Sequence, residues 1–403
     1  MHLRRENTLG LALLLGSVVA LMPLAIDMYL PAFSAIGAFF DTPQSQVELS
    51  LTVYFIGVAL GQLVYGPLAD RYGRRKPLLF GLTISALSSL ACATVSTIEG
   101  LIALRFLQAF GMCAGGVISR AIVRDMFEPT DVARFFSLLM LVMGVAPILA
   151  PIFGAQISLH FGWQMIFYLI AAVSFIDLLA VMFLLPETHR PNPGVRLTAT
   201  FSTYRDILRD RHFVGYAMSG GAAFSSMFAY ITGSAFVLIE YYGVAPENFG
   251  FIFGANAAGF IIMSQVNRAL LKRYSYHAIF HTGLKVLVGA GVLLAIGGVI
   301  GVPLPLFLIP LFVFIASLGV ISPNSMAGAL AGEGRRAGAA SALGGALQFS
   351  LSFIFSGAVG IVHATSPMPM CLIMLSGAII ALLFARMTNG PKRLDDAPAA
   401  PQP

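Results

Sequence analysis

Long apolar stretches alternate with short polar ones along almost the whole chain. About 20 apolar residues, rising about 1.5 Å each, cross the hydrocarbon core of a bilayer as a helix. Twelve stretches meet that length, near residues 9–38, 47–69, 77–96, 100–122, 134–157, 164–185, 212–239, 248–270, 278–301, 303–325, 337–362 and 368–387. None shows the two-residue alternation of an outer-membrane barrel strand, so the pattern predicts helices. The first stretch reads as a retained helix, because its apolar core is too long for a cleaved leader.

Between residues 187 and 211 the pattern breaks. "ETHRPNPGVRLTATFSTYRDILRDR" is polar and basic, with Pro and Gly near its start. It divides six apolar stretches from six. The expected organisation is a six-helix bundle over 1–186, a linker over 187–211 with a short amphipathic helix near Thr203–Arg209, and a second bundle over 212–388. A Pro- and Ala-rich tail over 389–403 is expected to be disordered. A faint repeat relates the halves. "GPLADRYGRRKP" after the second stretch and "SQVNRALLKRYS" after the eighth both place Asp or Asn before Arg, with a basic pair further on. Parallel repeats of this kind mark transporters that bind substrate between their halves.

Composition makes lipid the expected surroundings. Hydrophobic residues are 58% of the 403 and charged ones 10%, where a soluble domain carries about 25%. The net charge of +6 is not spread evenly. Of the 24 Lys and Arg residues, all but Arg105 and Lys285 fall on one side when the loops are assigned alternately to two sides, starting with the N-terminus. The positive-inside rule makes that side the cytoplasm, with both termini there. The charge is therefore read as topogenic, and no nucleic-acid partner is expected. Cys92, Cys113 and Cys371 all lie in or beside apolar stretches and read as small packing residues.

Against this background the ionisable residues inside apolar stretches stand out, because a charge in the membrane is costly. Asp27 lies in "VALMPLAIDMYLPAF" and Arg105 in "LIALRFLQAFG". Asp177 reads as a structural partner, Lys285 as snorkelling, and Glu48 and Glu240 as solvated at the far ends of their helices. Asn256, Asn324 and Gln348 are polar groups inside apolar helices. Tyr29, Tyr54, Met112, Phe228, Asn256 and Gln348 are candidate substrate contacts by type and place. Small-xxx-small pairs at Gly57/Gly61, Gly111/Gly115 and Gly250/Gly254 suit close helix packing. His277 and His281, four apart, lack the glutamate and third ligand of a zinc site, so no metal is expected. No GxxxxGK[ST] loop is present, and no enzyme chemistry is indicated.

Several motifs carry a resemblance. "GPLADRYGRRKPLL", with Gly66, Asp70, Arg71, Gly73, Arg74 and Arg75, resembles the signature loop of the major facilitator superfamily. The resemblance implies an all-α membrane fold of twelve helices in two bundles, in which this loop latches one conformation. "RFLQAFG" resembles the helix-4 motif of proton-coupled members, with Arg105, Gln108 and Gly111. "GVAPILAPIFGA" resembles the helix-5 motif of drug exporters, with Pro147, Pro151 and Gly154. The usual pattern has glycine where this chain has Ala150 and Ala155. "AIDMYLPAF" together with "RAIVRD" looks like the Bcr/CflA group of bacterial drug-resistance exporters. A related multidrug type carries a second acid two turns before Asp27, and Ser17 to Ala20 hold none.

The resemblance implies a bacterial inner-membrane antiporter that exports small amphipathic drugs or metabolites by alternating access. It would act as a monomer in lipid without a cofactor, with the proton as coupling ion. Asp27, Arg105 and Gln108 would serve the proton. A nutrient importer of the same fold is the alternative. A non-transporting receptor or scaffold is a third reading, and it leaves the costly Asp27 and Arg105 unexplained.

Overall fold

In a computed structural model the chain is described at residues 5–126, 146, 148–189, 191–192, 197–361 and 366–388. Among these residues there is helix and turn but no strand. Lipid offers backbone groups no hydrogen bonds, so a helix, which satisfies its own, is the form an apolar run takes there. Along the first half run α1 (Arg5–Asp27), α2 (Phe33–Phe40), α3 (Gln44–Tyr72), α4 (Arg75–Thr94), α5 (Ile98–Met126), α6 (Ile148–Phe161) and α7 (Gln164–Leu184). A short helix follows, α8 (Leu197–Leu208), longer and earlier than the expected Thr203–Arg209. The second half holds α9 (Arg211–Ala235), α10 (Pro246–Leu270), α11 (Tyr276–Ile300), α12 (Leu304–Leu330), α13 (Ala337–Ile361) and α14 (Met368–Ala385).

Eleven spans among the described residues are long and apolar enough to cross a membrane, and α6 is a shorter apolar helix at the place of the fifth stretch. Much of that stretch, Pro147 included, lies outside the described residues, as does the tail over 389–403. Three spans are not plain α-helix, and the last of them, Met368–Thr388, ends in a 3-10 turn at Arg386–Thr388. The first, Gly10–Phe40, breaks after Asp27 and resumes through a 3-10 turn at Leu30–Ala32. Pro31 explains the break: it has no N–H to give, and its ring collides with the carbonyl four residues back, that of Asp27. The sixth, Arg211–Tyr241, ends in a π-helical turn, Phe236–Tyr241.

The chain folds as two compact units, Met1–Thr200 with Leu238–Gly254, and Phe201–Val237 with Ala255–Pro403. The first is not a contiguous half, because Gly250 and Gly254 at the start of α10 lie against Ile152 and Ile148 of α6. Within the first unit α5 is central, packed on α1, α3 and α4. Small residues make this possible. A Cβ on Gly57 of α3 would stand 2.5 Å from the Phe106 carbonyl oxygen, and one on Gly111 would stand 2.6 Å from that of Gly81. Within the second unit α9 packs on α12, α13 and α14. Hydroxyl pairs lock α9 to α13, Ser225 with Ser352 at 3.0 Å and Thr232 with Ser356 at 2.7 Å.

Candidate functional site

Three groups of side chains meet in the first unit. The first surrounds the break in helix 1. Asp27 ends α1 and is 4% exposed. No hydrogen bond or ion pair to its side chain occurs among the described residues, so it does not staple the backbone freed by Pro31. Next to it, the Met28 backbone is pressed by Gly154 of α6: a Cβ there would lie 2.7 Å from the Met28 Cα. The exporter-like motif and the intramembrane acid thus meet through one glycine. Tyr29 donates to Ser50 Oγ at 2.7 Å, and Ser50 donates to the Val47 carbonyl at 2.6 Å. The Tyr54 hydroxyl lies between the Met22 carbonyl (3.3 Å) and Met112 Sδ (3.4 Å).

The second group is built on Arg105. It is fully buried, far from the snorkelling that a helix-end arginine would show. Its guanidinium carbon lies 4.4 Å from the Tyr54 ring centroid, 4.5 Å from Tyr29 and 5.8 Å from Phe167. Facing rings offset part of the cost of burying a cation, about 2 kcal/mol or more for a desolvated pair. Three residues on, and so on the same helix face, Gln108 accepts from Arg105 Nη1 and passes a hydrogen bond to Ser89 Oγ at 2.8 Å. Arg105 Nε and Nη2 find no acceptor among the described residues. No carboxylate lies within 4 Å of Arg105 among the described residues. Among the described residues neither Asp27 nor Arg105 has an ion-pair partner, and the tyrosines link their surroundings: Tyr29 is two residues from the acid, and Tyr54 bonds α1 five residues before it.

The third group is the loop between α3 and α4. Gly73 turns the chain at φ +86°, a conformation that favours glycine. Arg74 then points inward and bridges Asp70 (2.5 Å) and Asp125 at the end of α5 (2.8 Å). Burial alone would push the Arg74 guanidinium down, but the hydrogen bonds and charges of Asp125 and Asp70 outweigh it and hold it above its ordinary value. Arg71 instead lies over the Tyr72 ring at 5.3 Å, and no carboxylate contacts it among the described residues. Arg75 donates to the Met182 carbonyl of α7. Gly66 has open space where a side chain would be, so close helix approach is not its reason.

The other expected residues scatter. Met112 is buried beside Tyr54, and Pro151 is buried on α6. Phe228 packs on Phe224 and Phe349 in the second unit. There Asn256 donates to the Tyr230 hydroxyl at 3.0 Å, and the Gln348 backbone carbonyl accepts from Ser225. Asn324 donates to Asn267 Oδ1 at 2.6 Å. Asn267 is the repeat counterpart of Asp70, so a neutral amide pair stands where the first unit uses an ion bridge. Asp177 is buried, and its Oδ2 has no hydrogen-bond partner among the described residues. Lys285 and Glu240 are exposed, whereas Glu48 is buried and takes a hydrogen bond from Gln44. The three cysteines are buried and free. Phe167, Ser89 and Glu187, which accepts the Arg74 and Arg75 backbone N–H groups, take part in these groups without having been singled out as site residues in the sequence. Glu187 carried one signal, its place at the first polar residue after the sixth apolar stretch.

Comparison with known proteins agrees with the motifs. A family model described as Major Facilitator Superfamily matches residues 15–357. The uncharacterized MFS-type transporter YdgK of Bacillus subtilis is 38% identical over 393 residues, 95% of this chain and 96% of the relative. The bicyclomycin resistance protein homolog of Haemophilus influenzae is 30% identical over 382 residues, 94% and 96% of the two chains. A crystal structure of a D-xylose-proton symporter superposes with a TM-score of 0.75 at 13% identity, covering 97% of this chain and 100% of the other, a likeness of fold alone.

Proposed function

The chain belongs to the major facilitator superfamily and is a multi-pass membrane transporter, not an enzyme; from that premise we propose that it exports small amphipathic drugs or metabolites in exchange for protons. The observation that carries the proposal is Asp27, a buried acid with no partner among the described residues, at the break in helix 1 and next to Met28, which packs on Gly154. An unpaired carboxylate anion is costly at membrane depth. A carboxyl that takes up a proton there becomes neutral, so the same group suits two states of a cycle. Deprotonated, Asp27 is available in the state that takes drug from the cytoplasm. Protonated from the more acidic outside, it favours drug release. Arg105 serves the same proton site through the tyrosines that flank Asp27, with Gln108 orienting its guanidinium. The name of one relative, a bicyclomycin resistance protein homolog, supports export rather than uptake.

In this reading the bundles over 1–186 and 212–388 rock as bodies, with 187–211 as their linker. The loop around Asp70 and Arg74 latches one state. The transporter works as a monomer in the bacterial inner membrane with both termini in the cytoplasm, as the loop charges support. The proton is its coupling ion, and it needs no cofactor. One proton crossing about 100 mV and one pH unit releases roughly 3.7 kcal/mol, enough for a gradient of about 500-fold in a neutral solute. The test is Asp27→Asn, which keeps the side-chain shape and loses the titration. A panel of antibiotics first identifies a drug to which the expressed chain confers resistance. In liposomes the variant should bind that drug yet show no accumulation driven by a pH gradient. Gradient-driven accumulation at the wild-type rate would refute the proton role.

A further inference from the structure

Glu187 is the first residue of the polar segment after α7, and its carboxylate folds back onto the loop between α3 and α4. Glu187 Oε1 accepts the backbone N–H of Arg74 at 2.7 Å, and Oε2 accepts that of Arg75 at 3.2 Å. Oε1 also takes the N–H groups of Thr188 (3.1 Å) and His189 (3.2 Å), so one side chain gathers four amides. The first two are the opening N–H groups of α4, which have no partner within their own helix. The fit is close: a Cβ on Gly73 would stand 2.5 Å from Oε2. Gly73 therefore does two things, taking the left-handed turn and leaving room for the carboxylate. Further contacts tie the same segment down. The Asn192 N–H donates to the Asp70 carbonyl at 3.4 Å, and His189 Nδ1 lies 4.0 Å from Asp125.

We propose that Glu187 is a positioning residue of the loop: by holding the Arg74 and Arg75 amides it sets the Arg74 side chain across Asp70 and Asp125, so that the start of the linker and the ion bridge move as one body. This rests on the transport reading only in taking that bridge as the latch. Any motion that pulls the linker start away from α4 removes the amide acceptor first and the aim of Arg74 with it. The linker thereby becomes a lever on the latch.

The test is hydrogen exchange on the full-length protein in lipid nanodiscs, read at the Arg74 and Arg75 amides. Glu187→Ala should speed their exchange about ten-fold or more, with the middle of α4 unchanged. Glu187→Asp keeps the charge but shortens the reach by one methylene, and it should expose the same amides. Glu187→Gln keeps a carbonyl acceptor at full reach and should restore protection at Arg74. In thermal unfolding, the Glu187→Ala, Arg74→Ala double variant should melt no lower than Arg74→Ala alone, because the first residue acts through the second. Wild-type exchange in Glu187→Ala or in Glu187→Asp, or additive losses of melting temperature, would overturn the proposal. These readouts need neither drug nor proton gradient, so the export reading can fail in liposomes while this one stands.

Discussion

Gly154→Ala is the sharpest perturbation the structure offers, because one methyl group would strike backbone rather than a side chain that can turn away. The new Cβ would lie 2.7 Å from the Met28 Cα and 2.8 Å from its carbonyl carbon. Carbon atoms in ordinary contact sit about 3.5–4.0 Å apart. Either α6 or the break in helix 1 must therefore move by roughly 1 Å. Overpacking of this kind costs about 1–3 kcal/mol. If the whole cost falls on one step of the cycle, turnover drops by a factor of roughly 5 to 160. Asp27 is adjacent to the displaced residue, so the proton-coupled step should suffer most. The assay is gradient-driven drug transport in vesicles with matched protein levels. Gly116→Ala is the control, a glycine on α5 with open space around it. Wild-type transport by Gly154→Ala with an unchanged melting temperature would refute the claim that this contact holds the break in place.

Other expectations follow from the same geometry. Arg74→Ala should reduce drug resistance more than Arg71→Ala at equal expression, since Arg74 alone bridges Asp70 and Asp125; equal losses would mean the loop's charges matter only for insertion. Asn324→Ala leaves Asn267 buried without its partner and should lower stability by about 1–3 kcal/mol, read as a lower melting temperature, while gradient-driven transport by the surviving protein stays coupled. A reporter active only in the cytoplasm should work when fused at Lys392, and activity of a periplasmic reporter there would contradict an even number of spans.

The membrane architecture was legible along the chain because its cause is local. A helix in lipid needs about 20 apolar residues in succession, and loop charge sorts by side whatever the helices touch. The cost of Asp27 and Arg105 was legible for the same reason, as a property of a charged residue in an apolar stretch. Other features belong to residues far apart in sequence, and no local pattern encodes them. Arg71 and Arg74 look alike in the motif, yet only Arg74 lies where Gly73 turns the chain toward Asp125, 51 positions on. Gly66 and Gly154 are both motif glycines, but only Gly154 has another helix's backbone against it. Arg105 is tolerable in the interior because rings from α3 and α7 and from the break in helix 1 close around it, an arrangement that exists only once those helices pack on α5. Glu187 read as a boundary residue until folding brought its carboxylate back, across 113 residues, to the opening amides of α4. Periodicity and composition decide which segments enter the membrane. Which charges then meet is decided by how closely small residues let those segments approach.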